Sequence, residues 1–344
     1  MARPANILVE LGQYAAVRSL SGLMHCFNVD QNLTTAAGVG SLFWNFSAKH
    51  RQRAIENIAA SFPEWSRERV FRTAKASVQN MIQVFLVDSL MMPRLITPDN
   101  WPQHVRIGPL GPVLERMIRH EPMLLITGHC GNWELLGFAL ATIGFPIHAI
   151  ARPLDNRMLN RWLLTVREAR GLQIITKFGA TPLLQAVLRR GGRLGLIADQ
   201  NAGEAGLFVP FFGRLASSYK SIGLLAMRYN VAIAAGIATR LNGRFEYEIS
   251  SNDVITPDDW VDRPDPLFYI TARYNRAIER MIRDAPEQYL WVHRRWKSRP
   301  KFERDGEPMP GSMIANLESL PWMTQAELDR IVASSNSPVG TPIG

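Results

Sequence analysis

Cysteine is nearly absent from this chain: Cys26 and Cys130 are the only two in 344 residues. Two thiols make no disulfide framework, and no Cys/His spacing of a zinc site accompanies them. The chain therefore reads as a protein of a reducing compartment. Long uncharged apolar runs are also missing. A spanning helix needs about 20 predominantly apolar residues, yet the apolar stretch Ile7 to Phe27 carries Glu10, Arg18 and His25. That stretch predicts no firm span, only a helix able to lie in a membrane interface. No secretory leader is evident, because no basic stretch precedes a clean apolar run and a cleavage site. Acidic residues are in deficit, 30 Asp plus Glu against 39 Lys plus Arg, a formal charge of +9. Such a balance favours anionic partners: nucleic acid, anionic lipid headgroups or an acidic carrier protein. Charge alone does not choose among them.

What is present suits a packed protein. Hydrophobic residues are 47% and charged residues 20%, an ordinary globular balance, and one large α/β domain can reach this length. Residues 5 to 92 read as helical, with Ile55, Ile58, Ala59 and Phe62 at helical spacing and Pro63 closing that segment. Val70, Ala74, Val78, Ile82 and Phe85 mark a further helix that Pro93 should end. Beyond it the pattern changes to short β-rich runs: Met123 to Thr127, Ile147 to Ala151, Leu172 to Thr176, Leu194 to Ala198, Val231 to Thr239 and Phe245 to Ser250. Amphipathic stretches at 133–143, 156–170, 180–190 and 219–229 separate them, and a last helix spans Pro266 to Asp284. Strands alternating with helices of that length predict a largely parallel sheet covered on both faces. The expected organisation is a helical, membrane-associating region over 1–92, an α/β core over 93–302 forming one compact domain with those helices, and a partly flexible extension over 303–344, loose from about 330.

The strongest chemical signal is Thr127-Gly128-His129-Cys130-Gly131-Asn132-Trp133-Glu134. It follows an apolar strand and precedes a helix, which puts His129 at the carboxyl edge of the sheet, where open α/β folds bind ligands. Gly128 and Gly131 permit a tight turn and close approach of a substrate. Asn132 is a candidate N-cap, placing Glu134 in the first helical turn, where the dipole favours an ionised carboxylate. That carboxylate could accept the imidazole Nδ1 proton and leave Nε2 as a base aimed at a hydroxyl. The plainer alternative is a loop histidine beside a capping glutamate. Cys130 reads as packing rather than as a nucleophile, since no second base is evident for it.

Three more features fall at strand ends or near the C-terminus. Arg152, in Ala151-Arg152-Pro153-Leu154-Asp155-Asn156, could clamp a phosphate or carboxylate, or pair with a neighbouring helix. Asp199, before Gln200, could orient a base or a substrate hydroxyl, or simply anchor its loop. The aromatics Phe208, Phe211 and Phe212 could line an apolar tunnel. In Pro286-Glu287-Gln288-Tyr289-Leu290-Trp291-Val292-His293-Arg294-Arg295-Trp296-Lys297, mixed aromatic and basic residues could grip an anionic headgroup or a nucleic-acid strand, or close the fold with a solvated basic end.

Together these blocks resemble the bacterial lipid A biosynthesis acyltransferases, the late lauroyl and myristoyl transferases, and the related phosphatidylinositol mannoside acyltransferases. The matching pieces are Gly128-His129 with Gly131-Asn132-Trp133-Glu134, then Arg152-Pro153-Leu154-Asp155-Asn156. Asp199-Gln200 with Val209-Pro210-Phe211-Phe212-Gly213 follows, and Pro286-Glu287-Gln288-Tyr289 with Trp291, His293, Arg294 and Arg295 completes the series. Order and spacing agree from about residue 5 to residue 302. The N-terminus departs from the family, whose members commonly begin with a more clearly apolar membrane helix.

The resemblance implies a glycerolphosphate-acyltransferase-like α/β sheet flanked by helices and single-step transfer from an acyl thioester to a hydroxyl. His129 and Glu134 take the places of the base and acidic partner of the family's H-x4-D/E motif. Asn132, Arg152, Asp199, Gln200, Arg294 and Arg295 become substrate-contact candidates, with backbone amides near Gly131 or Arg152 for the oxyanion. The implied donor is acyl-acyl carrier protein, or acyl-coenzyme A. The implied acceptor is a phosphorylated glycolipid such as a lipid A precursor, at the cytoplasmic side of the inner membrane. No cofactor, metal or nucleic acid is called for. Readings from other classes are a metal-dependent hydrolase built on His129, Glu134 and His148, though without a recognised zinc spacing, and a non-enzymatic module binding nucleic acid or membrane through charge.

Overall fold

The computed structural model describes residues 7–176, 179 and 181–336. Its N-terminal part is helical: Ile7–Met24, Val29–Phe46, Ala48–Ser61 and Arg67–Gln83 follow one another. The last of these does not stop where the sequence suggested. It runs through a π-helical turn, Val84–Asp88, into Ser89–Leu95, with Pro93 inside that final turn. A proline so near a helix end removes little of the hydrogen-bond ladder, so the helix closes two residues later.

The strands are β1 (Val105–Ile107), β2 (Met123–Thr127), β3 (His148–Ala151), β4 (Gln173–Thr176), β5 (Arg193–Ile197), β6 (Leu207–Phe211), β7 (Arg214–Ser218), β8 (Ala232–Arg240) and β9 (Tyr247–Ile255). Among the described residues they form a seven-stranded sheet in the order β1-β9-β8-β2-β5-β3-β4 and a separate β6-β7 hairpin. Every neighbouring pair in the large sheet is parallel except β8 with β9. The expected strands are present with ends shifted by a few residues. β1 and the hairpin carried no recognised signal. The hairpin turns at Phe212-Gly213, both at positive φ (52° and 66°), the geometry of a two-residue type I′ turn. A phenylalanine there disguises it.

Both faces of the sheet are covered, as alternate residues of β8 show. Ile233, Ala235 and Ile237 enter one apolar cluster with Phe268, Ile270 and Ile278 of helix Pro266–Asp284. Ala234 and Ala238 enter another with Leu135 and Phe138 of helix Trp133–Thr142. A sheet buried on both sides is what continuous apolar strands require. The C-terminal stretch is helical and packed over much of its described length. Helix Gln325–Asn336 extends past residue 330 and buries Leu328 and Ile331, and Leu317 and Leu320 are buried just before it. Its apolar residues recur at helical spacing on a mostly polar helix, enough to dock one face. The looseness expected of 337–344 lies outside the described residues.

No helix among the described residues is long and apolar enough to cross a membrane. Helix Ile7–Met24 nevertheless exposes Ile7, Val9, Leu11, Leu20 and Leu23. It docks on helix Arg157–Arg167 through Asn156, whose side-chain amide donates to Glu10 O and Gln13 Oε1, and through Arg18 over the Trp162 ring.

Candidate active site

Strands β2 and β5 lie side by side with Thr127 opposite Ile197, and Ala198 N–H extends the ladder to Thr127 O. Two residues beyond each strand end stand His129 and Asp199. The chain leaves β2 for β3 on one side of the sheet and leaves β5 for β8 on the other. A crevice opens where adjacent strands send their connections in opposite directions. His129 and Asp199 meet at that point: His129 Nδ1 lies 2.8 Å from Asp199 Oδ1, and its backbone N–H donates to Oδ2 at 2.9 Å.

Asp199 is fully buried. Burial alone would raise its pKa, but the His129 ring beside it and the two hydrogen bonds hold it well below the usual carboxylate range. An acceptor-only carboxylate on Nδ1 fixes the proton there and leaves Nε2 with its lone pair. His129 is 8% exposed, packed edge-on against Trp133 (centroids 4.9 Å) and tilted against His293 (4.6 Å). Burial first, then the positive charge His129 can carry, push His293 down to about 4, so its ring is neutral near pH 7.

Glu134 does not reach Nδ1 as the sequence suggested. Its carboxylate is held two-pronged by Arg167 of helix Arg157–Arg167, through Nε at 2.8 Å and through Nη2. The acid was placed correctly in the first turn of its helix, but the helix turns it toward the neighbouring helix while β5 supplies the carboxylate for the ring. Asn132 caps that helix at Leu135 N and donates to buried Asp88, so it is structural rather than a substrate contact. Gly131 N–H donates to Gln288 O, Asn132 N–H to Ala238 O and His129 N–H to Asp199. These amides are already engaged and are not free oxyanion donors. What approaches the two glycines is protein: a Cβ on Gly131 (φ +59°) would sit 2.2 Å from Ala238 O, and one on Gly128 2.9 Å from Ile278.

The other candidates separate in the same way. Arg152 is exposed and its partner is Asp155 at 3.5 Å. Gln200 and Arg294 are exposed, free to meet a ligand. Arg295 is 1% exposed and donates to Ser217 O, Ser218 Oγ and Asn275 Oδ1, a core arginine that no substrate reaches. Phe211 and Phe212 are wholly buried and stack at right angles to each other, so they are core rather than tunnel wall, while Phe208 is half-buried. Burial and the nearby Asp199 charge push the Cys130 thiol up to about 12, which makes it inert. His148 lies on β3, and no three His, Cys, Asp or Glu side chains among the described residues are grouped to hold a metal ion.

Three residues that sequence reasoning did not single out belong to this neighbourhood. His293 stood only inside a longer block. Arg167 is an ordinary helical arginine until Glu134 is seen beside it. Asp88 is buried in the π-helical turn and joins Asn132, Tyr247 and Arg240, and irregular turns of that kind often mark functional sites. The helical region also supports the site directly. Arg53 donates to Val292 O, and Asn57 to Trp291 O and His293 O.

The family model described as bacterial lipid A biosynthesis acyltransferase matches residues 14–298. A lipid A biosynthesis acyltransferase of Haemophilus influenzae is 25% identical over 76% of this chain and 79% of its own length. In Escherichia coli, a palmitoleoyltransferase of lipid A biosynthesis is 25% identical and a lauroyltransferase 24% identical, each over 77% of this chain and 84% of its own.

Proposed function

This chain belongs to the bacterial lipid A biosynthesis acyltransferases, and on that footing we propose that it transfers a fatty acyl group from acyl-acyl carrier protein to a hydroxyl of a lipid A precursor, with His129 as general base. The observation that carries the assignment is the buried Asp199 carboxylate on His129 Nδ1, at the carboxyl edge of two adjacent parallel strands. The acceptor hydroxyl gives its proton to Nε2 as its oxygen attacks the thioester carbonyl. The tetrahedral intermediate collapses with loss of the thiolate, which takes the proton back as thiol. Asp199 holds the ring and stabilises the imidazolium, and neutral His293 adds no competing charge beside it. Glu134 acts with Arg167 as an ion pair in the first turn of the following helix. The first-turn amides of Trp133 and Glu134, ahead of the Leu135 N–H that Asn132 caps, form the positive end of the helix dipole and supply the oxyanion contact.

The donor follows from charge: a chain of +9 suits an acidic carrier protein. The acceptor's phosphates suit the same surface, with exposed Arg152 and Arg294 as first contacts. Apolar side chains exposed on Ile7–Met24, with Phe46 and Leu42 on the next helix, seat the protein on the cytoplasmic face of the inner membrane. The test is acyl transfer by purified protein to a lipid A precursor, with acyl-acyl carrier protein and acyl-coenzyme A offered separately. His129→Ala should cost about 10²–10⁴-fold in turnover with the fold retained. Near-native turnover in that variant defeats the base assignment, and preference for acyl-coenzyme A defeats the donor.

A further inference from the structure

Away from His129, a cleft of about 240 Å³ opens between helix Pro266–Asp284, the β6-β7 turn and the last helix. Arginine dominates its wall: Arg276, Arg280, Arg283 and Arg330 face Glu279 and Glu327. Both carboxylates are already engaged. Glu279 binds Arg283 and accepts Phe212 N–H, and Glu327 accepts from Thr324 N–H and Oγ. Arg280 is shared with Asp253. Arg276 lies over the Trp322 ring, 5.2 Å from its centroid, a cation–π contact, and among the described residues Arg330 donates to Ala60 O at 3.4 Å. Neither Arg276 nor Arg330 has a carboxylate within ion-pair distance among the described residues.

The geometry points to an oxyanion site here, one that takes a phosphate group between the Arg276 and Arg330 guanidiniums, beside Trp322. Two half-buried guanidiniums with no carboxylate within ion-pair distance among the described residues, on opposite walls of one cleft, present the forked donors that match a phosphate. Burial first, then the charges of Arg299 and Arg330, push the nearby Arg214 down to about 9, with Glu279 opposing. Trp322 and Arg330 lie after residue 298, beyond the matched family region, so the site is built partly by this chain's own extension. The inference is independent of the acyl-transfer reading.

Titration calorimetry of the full chain with inorganic phosphate, then with glycerol phosphate, tests it. One saturable site is expected, weakened about tenfold for each guanidinium removed in Arg276→Gln and Arg330→Gln. Arg276→Lys with Arg330→Lys should keep part of the affinity, which guards against a loss caused by misfolding. Vesicles containing phosphatidylglycerol identify the source. Adsorption that falls in the Gln variants and is competed by glycerol phosphate names a lipid headgroup. Adsorption unchanged while phosphate binding is lost names a soluble ligand. Absence of saturable binding by every probe, or equal binding by wild type and the double Gln variant, overturns the site.

Discussion

Replacing Asp199 by asparagine keeps the shape of the side chain and removes the property on which the site depends. The carboxylate accepts twice from one residue, from His129 N–H at 2.9 Å and from Nδ1 at 2.8 Å. An amide has a single acceptor oxygen. If that oxygen stays with the backbone N–H, the NH₂ group faces Nδ1, which must then become the acceptor. The ring proton moves to Nε2 and the lone pair that takes the hydroxyl proton is gone. In a serine-histidine-aspartate triad, an analogous wrong tautomer costs about 10⁴-fold in kcat, and a loss of about 10³- to 10⁴-fold is expected here. Ground-state contacts of either substrate are untouched, so KM should change little. The assay is steady-state acyl transfer across pH, with circular dichroism confirming the fold. Turnover within about tenfold of wild type would refute both the tautomer argument and the pairing behind it.

Other consequences follow from the same geometry. Glu134→Gln and Arg167→Gln should impair turnover to a similar degree, with the double variant little worse than either single one; near-native turnover in Arg167→Gln would show that Glu134 acts some other way. Gly131→Ala puts a Cβ against the Ala238 carbonyl at a positive φ, and chemical denaturation should show a loss of about 2–4 kcal/mol. His293 falls from the ordinary 6.5 to about 4 on folding, so between those values the unfolded chain binds more protons and stability drops as pH falls from 6.5 toward 4. Asp199 contributes its own loss only at more acid pH, and His293→Gln should flatten the slope of melting temperature within that window.

Much of the fold was legible because it rests on local periodicity. The strand Met123–Thr127 and the helix Pro266–Asp284 stand where their apolar patterns put them, and the four ordered motif blocks pointed to the family that residues 14–298 match. Position along the chain also marked His129, Asp199 and Glu134 as polar residues at the ends of strands or starts of helices. Register and crossover direction are not local properties. They depend on which strands become neighbours, and β2 beside β5 is what sets Asp199, 70 residues away, on the His129 ring while the adjacent helix takes Glu134 to Arg167. Burial is equally non-local. Arg294 and Arg295 are indistinguishable as letters, yet one is in solvent and the other is locked in the core by Ser217, Ser218 and Asn275. Sequence named the chemical groups available to this protein, and the packing of its sheet decided which of them touch.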